Sequence, residues 1–187
     1  MTERTFVVVS GLPGSGKTTL ARQLAPALQL PLIDKDDILD RLFDLKGIGD
    51  AEWRRTLSRE SDVLLESRAK ASAGAVLVSF WRLAGMPKDS GTPTGWLAKL
   101  SKQVVNVHCV CEPEIAARRF LERKRHAGHL DRQATHAEVL AAFLALLRNE
   151  PLDVGRKIIV DTSGPTDLPQ IIRDIRNALG GHDALSG

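Results

Sequence analysis

The sequence predicts an α/β fold of three layers, in which helices cover both faces of a five-stranded parallel sheet. Two observations predict it. Five short apolar runs rich in β-branched residues alternate with longer segments of helical periodicity, and a glycine-rich segment directly follows the first run. The 187 residues, 43% of them hydrophobic, are enough for one buried core, so we expect a single domain over 1–187.

The five apolar runs are the predicted strands, and each is followed by enough residues for a crossover helix. They lie at 5–9, 30–33, 75–78, 104–110 and 157–160. Pro26 falls late in the helix after the first strand, so that helix is expected to end near Ala25 or to kink there. Apolar residues three and four apart indicate the later helices: Trp53, Leu57, Leu64 and Leu65, then Leu140, Phe143, Leu144 and Leu147, then Ile171, Ile172 and Ile175.

The segment after the first strand reads Gly-Leu-Pro-Gly-Ser-Gly-Lys-Thr over 11–18. Its glycines permit backbone angles that turn successive N–H groups toward a phosphate, and the helix that begins near Gly16 adds its positive end. Lys17 would reach the β- and γ-phosphates, and the Thr18 hydroxyl would bind Mg²⁺. A glycine-rich turn that binds nothing is the alternative. We expect a nucleotide site made of Gly11, Pro13, Gly14, Ser15, Gly16, Lys17, Thr18 and Thr19.

Three carboxylates follow the second strand: Asp34, Asp36 and Asp37. Ligands of open α/β sheets collect at the carboxyl ends of the strands, so these side chains would lie where a phosphoryl acceptor binds. Asp36 and Asp37 would begin the next helix near the γ-phosphate, on the substrate side. Phosphoryl transfer needs a metal ion on the phosphates and often a carboxylate on the attacking hydroxyl. Helix capping is an alternative role that is compatible with catalysis.

Residues 11–18, taken with Leu-Ile-Asp-Lys-Asp-Asp-Ile-Leu at 32–39, resemble the P-loop small-molecule kinases. That group contains shikimate and gluconate kinases, chloramphenicol phosphotransferase, zeta toxins and the kinase domain of polynucleotide kinase. The resemblance implies a P-loop NTPase fold with a helical lid, and ATP and Mg²⁺ as cofactors. It implies that Asp36 contacts or deprotonates the acceptor hydroxyl, that Asp34 lies near the metal, and that the turn at 160–165 packs against the adenine ring. A plain strand-to-helix turn, with capping side chains, explains residues 160–165 equally well.

The resemblance also implies a lid at about 114–131, after the fourth strand. Arg119 and Arg123 are four residues apart, so on one helix they would share a face and converge on the nucleotide, with Arg125 as a further phosphate ligand. A solvated basic helix face is the alternative. Residues 126–131 would form a mobile tip whose histidines are structural or solvent-facing rather than catalytic.

Three departures from the resembling families bear on the metal and the substrate. The third strand has no acid at its end, so Asp34 or water would complete the metal shell. The shikimate-kinase glycine triplet is missing, and Leu39 stands where polynucleotide kinases carry a substrate-binding arginine. Both differences argue against those two activities.

Phe80, Trp81 and Arg82 follow the third strand instead. They could give a substrate pocket an aromatic wall and a cation, although aromatic residues beside a strand end more often belong to the core. The loop at 84–96 is too rich in glycine and proline for regular structure, and could be either a cover for that pocket or a surface excursion.

Composition restricts the partners. The 26 basic and 23 acidic residues are scattered and give a net charge of +3, which does not favour nucleic acid. Cys109 and Cys111, two apart on a strand, are expected to be buried thiols and not a disulfide. The sequence has no signal peptide and no apolar run of ~20 residues. We expect a reduced, cytoplasmic monomer or homodimer with no membrane contact.

These observations together predict an ATP-dependent kinase that transfers the γ-phosphate to a hydroxyl of a small molecule, with Lys17, Asp36 and Arg123 as catalytic residues. A polynucleotide 5′-hydroxyl kinase is one alternative and would need an open basic groove. A nucleotide-dependent regulatory ATPase is another and would bind a protein partner. The arginines of the lid favour an enzyme over a switch.

Overall fold

A five-stranded parallel sheet in the order β2-β3-β1-β4-β5 forms the middle layer of the protein. The structure is a computed structural model that describes residues 4–130 and 134–180. All five predicted strands are confirmed, each within two residues of its expected ends. They are β1 (Thr5–Gly11), β2 (Leu32–Asp34), β3 (Gly74–Val78), β4 (Gln103–Val110) and β5 (Arg156–Asp161).

The central strand β1 is apolar on both faces because both faces are covered. Phe6 and Val8 pack into a cluster that includes Leu65 of the third helix and Trp81. Val7 and its neighbours on the opposite face pack against the first and last helices. A strand buried on both sides gains from an unbroken hydrophobic run, which is why it does not alternate with polar residues.

Six α-helices surround the sheet in the part of the chain that the structure describes. They are α1 (Lys17–Ala27), α2 (Lys35–Lys46), α3 (Ala51–Ala71), α4 (Pro113–Glu122), α5 (His136–Leu146) and α6 (Leu168–Gly180). Side chains cap four of them: Asp34 caps α2, Asp50 caps α3, Thr135 forms a capping box with Glu138 on α5, and Asp167 caps α6. The helix α1 ends one residue after Pro26, in keeping with the break expected there.

The long segment after β3 is irregular, as expected, but it is tied to the body of the protein. Trp81 and Thr92 form a single parallel bridge, and a short 3₁₀ turn follows at Leu97–Lys99. The Thr92 hydroxyl donates to Asp62, which also pairs with Lys35 at 2.7 Å. These contacts connect the segment to α3 and to the start of α2.

The carboxyl ends of all five strands meet at one edge of the sheet, and this edge positions the candidate site. Cys109 and Cys111 at the end of β4 are buried free thiols, as predicted. Within residues 4–130 and 134–180, no helix is long and apolar enough to cross a bilayer.

Candidate active site

The P-loop, residues 11–18, joins β1 to α1 and leaves backbone donors open. Gly16 is the N-cap of α1 and has φ 87°, and no described side chain caps this helix. The first bond within the helix is from the Leu20 N–H to the Gly16 carbonyl, at 3.0 Å. The N–H groups of residues 17–19 therefore have no acceptor within the helix, which is the arrangement that binds phosphate.

Gly14 fixes how the P-loop packs. Its φ is 76°, and a Cβ at this position would collide with the carbonyl oxygen of Ala116 on α4. Only glycine satisfies both the backbone angle and the close approach. The hydroxyl of Ser15 in the same loop is buried without a hydrogen-bond partner among the described residues. A buried hydroxyl without a partner, beside backbone N–H groups without an acceptor, fits a bound anion that would accept these hydrogen bonds.

Lys17 is a buried cation whose side chain donates to an uncharged group. Its Nζ donates to the carbonyl oxygen of Leu12 at 2.7 Å, a neutral partner. Burial lowers the pKa of Lys17 to about 8, and the nearby Arg123 charge acts in the same direction. A triphosphate at the P-loop would compensate this charge, so the lysine fits the predicted nucleotide.

Thr18 and Asp34 connect the start of α1 to the end of β2. The Thr18 hydroxyl donates to Oδ2 of Asp34 at 3.1 Å, and Oδ1 of Asp34 accepts the Asp36 N–H at 2.9 Å. Burial raises the pKa of Asp34 to about 6, and repulsion from Asp36 adds to the rise. A hydroxyl beside an under-compensated carboxylate fits Mg²⁺, which prefers oxygen ligands.

Asp36 stands in the first turn of α2, above this pair, and is ionised. Its carboxylate contacts Arg125 at 3.0 Å and is about half exposed. Burial alone would raise the pKa of Asp36, but the charges of Arg125, His129 and Arg123 lower it below the ordinary value. Asp36 in turn raises the pKa of Lys17. Lys17, Asp34, Asp36, Arg123 and Arg125 therefore form one electrostatic cluster.

Residues 123–130, here called the lid segment, lie against α2. Arg125 pairs with Asp36, the His129 ring with Asp40 at 2.6 Å, and the His126 ring with Asp44 at 3.3 Å. The three acids are four residues apart, so they form one stripe along the helix. The expected mobile tip thus lies on α2 as far as residue 130, and Asp131 is outside the described residues.

Phe43 of α2 is the apolar centre of this contact. Its ring stacks on His126 with centroids 5.3 Å apart and meets the edge of His129 at 5.5 Å. Gly128 lies so close that an added Cβ would overlap the Phe43 ring. The histidines are structural here, as expected, but the sequence reasoning missed Asp40, Phe43 and Asp44.

Three comparisons with known proteins identify the family of this chain. Residues 6–150 match the family model AAA_33, described as an AAA domain. The chain belongs to this family, within the P-loop small-molecule kinase superfamily. It is 29% identical over 165 residues to a cytidylate kinase of Pyrobaculum arsenaticum, across 84% of this chain and 83% of that enzyme.

Two further likenesses point to kinases. A shikimate kinase of Corynebacterium glutamicum is 37% identical over 72 residues, which are 38% of this chain and 43% of that enzyme. The crystal structure of a candidate kinase from Chloroflexus aurantiacus superposes with a TM-score of 0.77 at 25% identity, and covers 95% of this chain and 100% of that one. These relatives support a phosphotransferase of the P-loop kinase type.

The expected arrangement of two lid arginines on one helix face was wrong. Arg119 and Arg123 do not share a helix face, because α4 ends at Glu122 and Arg123 has extended backbone. Arg119 donates to the carbonyl oxygens of Thr162 and Ser163 at 2.7 and 3.0 Å, beside the turn expected to meet the adenine. Arg123 leaves the helix and lies over the Phe120 ring at 4.0 Å.

The two other predicted substrate residues lie apart from the cluster. Asp37 is half exposed and pairs with Arg22 at 3.2 Å, so it affects the site through its charge on Asp34. Arg82 donates from Nε to the carbonyl oxygen of Ser90 at 2.9 Å and holds the loop after β3. Its neighbours in a shallow cavity include Lys157, and no P-loop residue lines that cavity.

Proposed function

We propose that the protein is an ATP-dependent kinase that transfers the γ-phosphate to a hydroxyl group of a small molecule. One observation carries the proposal: Asp36, an ionised carboxylate, stands beside Lys17, Arg123 and Arg125 at the open end of the P-loop. A carboxylate at this point can accept the proton of an attacking hydroxyl. It would repel an acceptor that is itself a phosphate dianion.

The roles of the chain's residues follow from their positions. The open N–H groups at 17–19 and the glycine backbone of the P-loop would hold the phosphates. Lys17 would leave the Leu12 carbonyl and balance the charge on the β- and γ-phosphates. Asp36 would orient the acceptor hydroxyl and take its proton, while Arg123 and Arg125 would face the transferred group.

Mg²⁺, when bound, supplies charge neutralisation on the β- and γ-phosphates. The Thr18 hydroxyl and the Asp34 carboxylate would hold it, the second of these directly or through water. Asp34 must be ionised for this purpose, so metal binding is expected to weaken as the pH falls through about 6.

A second candidate is a kinase for a nucleoside monophosphate, favoured by the Pyrobaculum cytidylate kinase that aligns with 84% of this chain. The two candidates differ in what the acceptor presents to Asp36. A nucleotide kinase receives the phosphoryl group on a phosphate oxygen and has no need of a carboxylate base.

The test is ADP formation by the purified protein with ATP and Mg²⁺ against a panel of acceptors. The panel contains sugars, nucleosides, aminoglycosides and other hydroxylated antibiotics, 5′-hydroxyl oligonucleotides and CMP. We expect stimulation by one class of hydroxylated small molecule, which D36N suppresses. Stimulation by CMP that D36N leaves intact would support the nucleotide kinase instead, and tight ATP binding without stimulation would support a regulatory ATPase.

A further inference from the structure

A cavity of about 440 Å³ lies beside Gly11 and Leu12 at the start of the P-loop. Its walls are the carboxyl ends of β1, β4 and β5, the turn after β5, the segment after β3, the start of α4 and the end of α5. Lys17, Asp34, Asp36, Arg123 and Arg125 do not line it. Its volume falls within the roughly 300–1,000 Å³ of small-molecule sites.

The floor of this cavity is apolar and held in place. Trp81 is buried, and its indole N–H donates to the Val9 carbonyl at 2.9 Å. The Trp81 ring also meets the edge of Trp96 with centroids 6.2 Å apart. Because both the hydrogen bond and the ring contact fix this side chain, the cavity is formed without a ligand.

Exposed apolar side chains surround the opening. Leu147, just after α5, is 52% exposed, and Val110 at the end of β4 is 45% exposed. The charged residues at the walls are Glu112 and Asp161, both exposed carboxylates, and the described lining includes no lysine or arginine. Such a cavity favours an apolar ligand and disfavours an anion.

His108 lines the cavity, and its hydrogen-bond partners determine which ring nitrogen carries the hydrogen. The Asn106 amide nitrogen donates to the Leu152 carbonyl at 2.9 Å, so its oxygen must accept the Ser10 hydroxyl hydrogen at 2.8 Å. The Ser10 hydroxyl therefore has no second hydrogen to donate to His108. Nδ1 of His108 must instead donate to the Ser10 oxygen, 2.9 Å away.

The same assignment fixes the other ring nitrogen. Burial, with the charges of Lys157 and Lys17, lowers the pKa of His108, so the ring is neutral at neutral pH. A neutral imidazole with its hydrogen on Nδ1 has a lone pair on Nε2. The cavity therefore contains a hydrogen-bond acceptor among apolar walls.

We propose that this cavity binds a neutral, largely apolar small molecule that donates one hydrogen bond, from a hydroxyl or N–H group, to Nε2 of His108. This site is additional to the proposed phosphoryl-transfer site and does not depend on it. Its ligand would contact Gly11 and Leu12, the start of the P-loop, and so lie directly behind the bound phosphates.

The experiment titrates 2-naphthol and 2-methoxynaphthalene into the full chain by calorimetry, in the presence of Mg²⁺ and a non-hydrolysable ATP analogue. The two probes share an apolar body, but only the first can donate a hydrogen bond. A neutral hydrogen bond contributes modestly, so we expect 2-naphthol to bind about threefold to tenfold more tightly. H108F, which keeps a ring without the acceptor, should reduce that ratio to about one.

A pair of variants on the same helix end tests the location. L147K places a charge at the mouth of the cavity and should weaken both probes by about tenfold or more, because the lysine must be desolvated. L144K replaces a residue that is 47% exposed and does not line the cavity, and should leave both affinities unchanged. Thermal melts establish that each variant is folded, and L147K tests the site even if H108F does not fold.

Three results would overturn the proposal. The first is no saturable binding of 2-naphthol to the wild-type chain. The second is equal affinity for the two probes together with no effect of H108F. The third is competition between 2-naphthol and the ATP analogue, which would place the cavity within the nucleotide site.

Discussion

The P-loop holds its shape through backbone geometry, whereas the lid segment meets α2 through side-chain pairs. At Gly14 a positive φ and a close approach to Ala116 leave room for one residue type only. Along α2, three separate acids take three separate partners, and the side chains of Asp36, Asp40 and Asp44 remain 39% to 70% exposed. Exposed pairs contribute little each, so the P-loop is the rigid half of the site and the lid contact the adjustable half.

The difference has a functional meaning. Phosphate binding requires donors that are in place before the nucleotide arrives, because reorganisation would reduce the electrostatic stabilisation of the transferring group. Closure over an acceptor requires a contact that can open again for product release. The predictions below test the two halves separately.

The largest expected effect is at Lys17. K17A removes the only cation of the described chain that the P-loop itself supplies, and should lower kcat by about 10³-fold or more. K70A removes an exposed lysine of α3 that pairs with Glu66, and should retain full turnover. Steady-state ADP formation measures both, and wild-type turnover of K17A would remove the P-loop from the mechanism.

D36N tests the acceptor side. The substitution keeps the shape of the side chain but removes its basicity and its ion pair with Arg125. We expect kcat to fall by about 10²-fold to 10⁴-fold while the ATP affinity changes little. An exposed acid of α6 gives the control D174N, which should behave as wild type. If kcat is unchanged in D36N, Asp36 has no role in catalysis and only stabilises the first turn of α2.

G128A tests the lid contact. Alanine would overlap the Phe43 ring, and overpacking of this kind costs about 1–3 kcal/mol, so kcat/KM for the acceptor should fall about tenfold. Hydrogen exchange at residues 125–130 should become faster. G95A introduces the same methyl group where nothing lies within 4 Å, and should change neither quantity. Unchanged exchange in G128A would mean that Gly128 does not hold the lid segment on α2.

The raised pKa of Asp34 should make the stability of the protein depend on pH. The folded pKa of about 6 exceeds the ordinary aspartate pKa of 3.8, so the folded state binds more protons between these values and stability falls as the pH rises from about 4 to 6. D34N should remove this fall and raise the free energy of unfolding at pH 7 by up to about 3 kcal/mol without Mg²⁺. Chemical denaturation from pH 4 to 8 measures it, and parallel profiles would contradict the raised pKa.

Much of the fold and of the P-loop could be predicted, because they depend on local patterns. Buried parallel strands require continuous apolar runs, and the phosphate loop requires glycines at fixed spacing, so residues 5–18 were sufficient to indicate both. The partner of Asp36 could not be obtained in this way. Arg125 is 89 residues away, and the pair forms only because the lid segment folds back over α2.

The failures have equally specific causes. The shared face expected for Arg119 and Arg123 depended on one further residue of helix, and α4 ends before it. The expected place of Arg82 in a substrate pocket stays a prediction, and its guanidinium donates to the loop carbonyl oxygens of Ser90 and Gly91. A signal for the lid contact was present in the four-residue spacing of Asp36, Asp40 and Asp44. This spacing puts three acids on one face of a helix, where a cationic segment from elsewhere in the chain can pack.

The central claim is that the acceptor atom is a hydroxyl oxygen, and the chemical identity of the product tests it most directly. ³¹P NMR of the reaction with ATP, Mg²⁺ and the stimulating acceptor distinguishes a phosphate monoester from a phosphoanhydride. The account predicts a monoester on a small molecule, formed by the wild-type chain and lost in K17A. A new phosphoanhydride, such as a nucleoside diphosphate made from CMP, would contradict it.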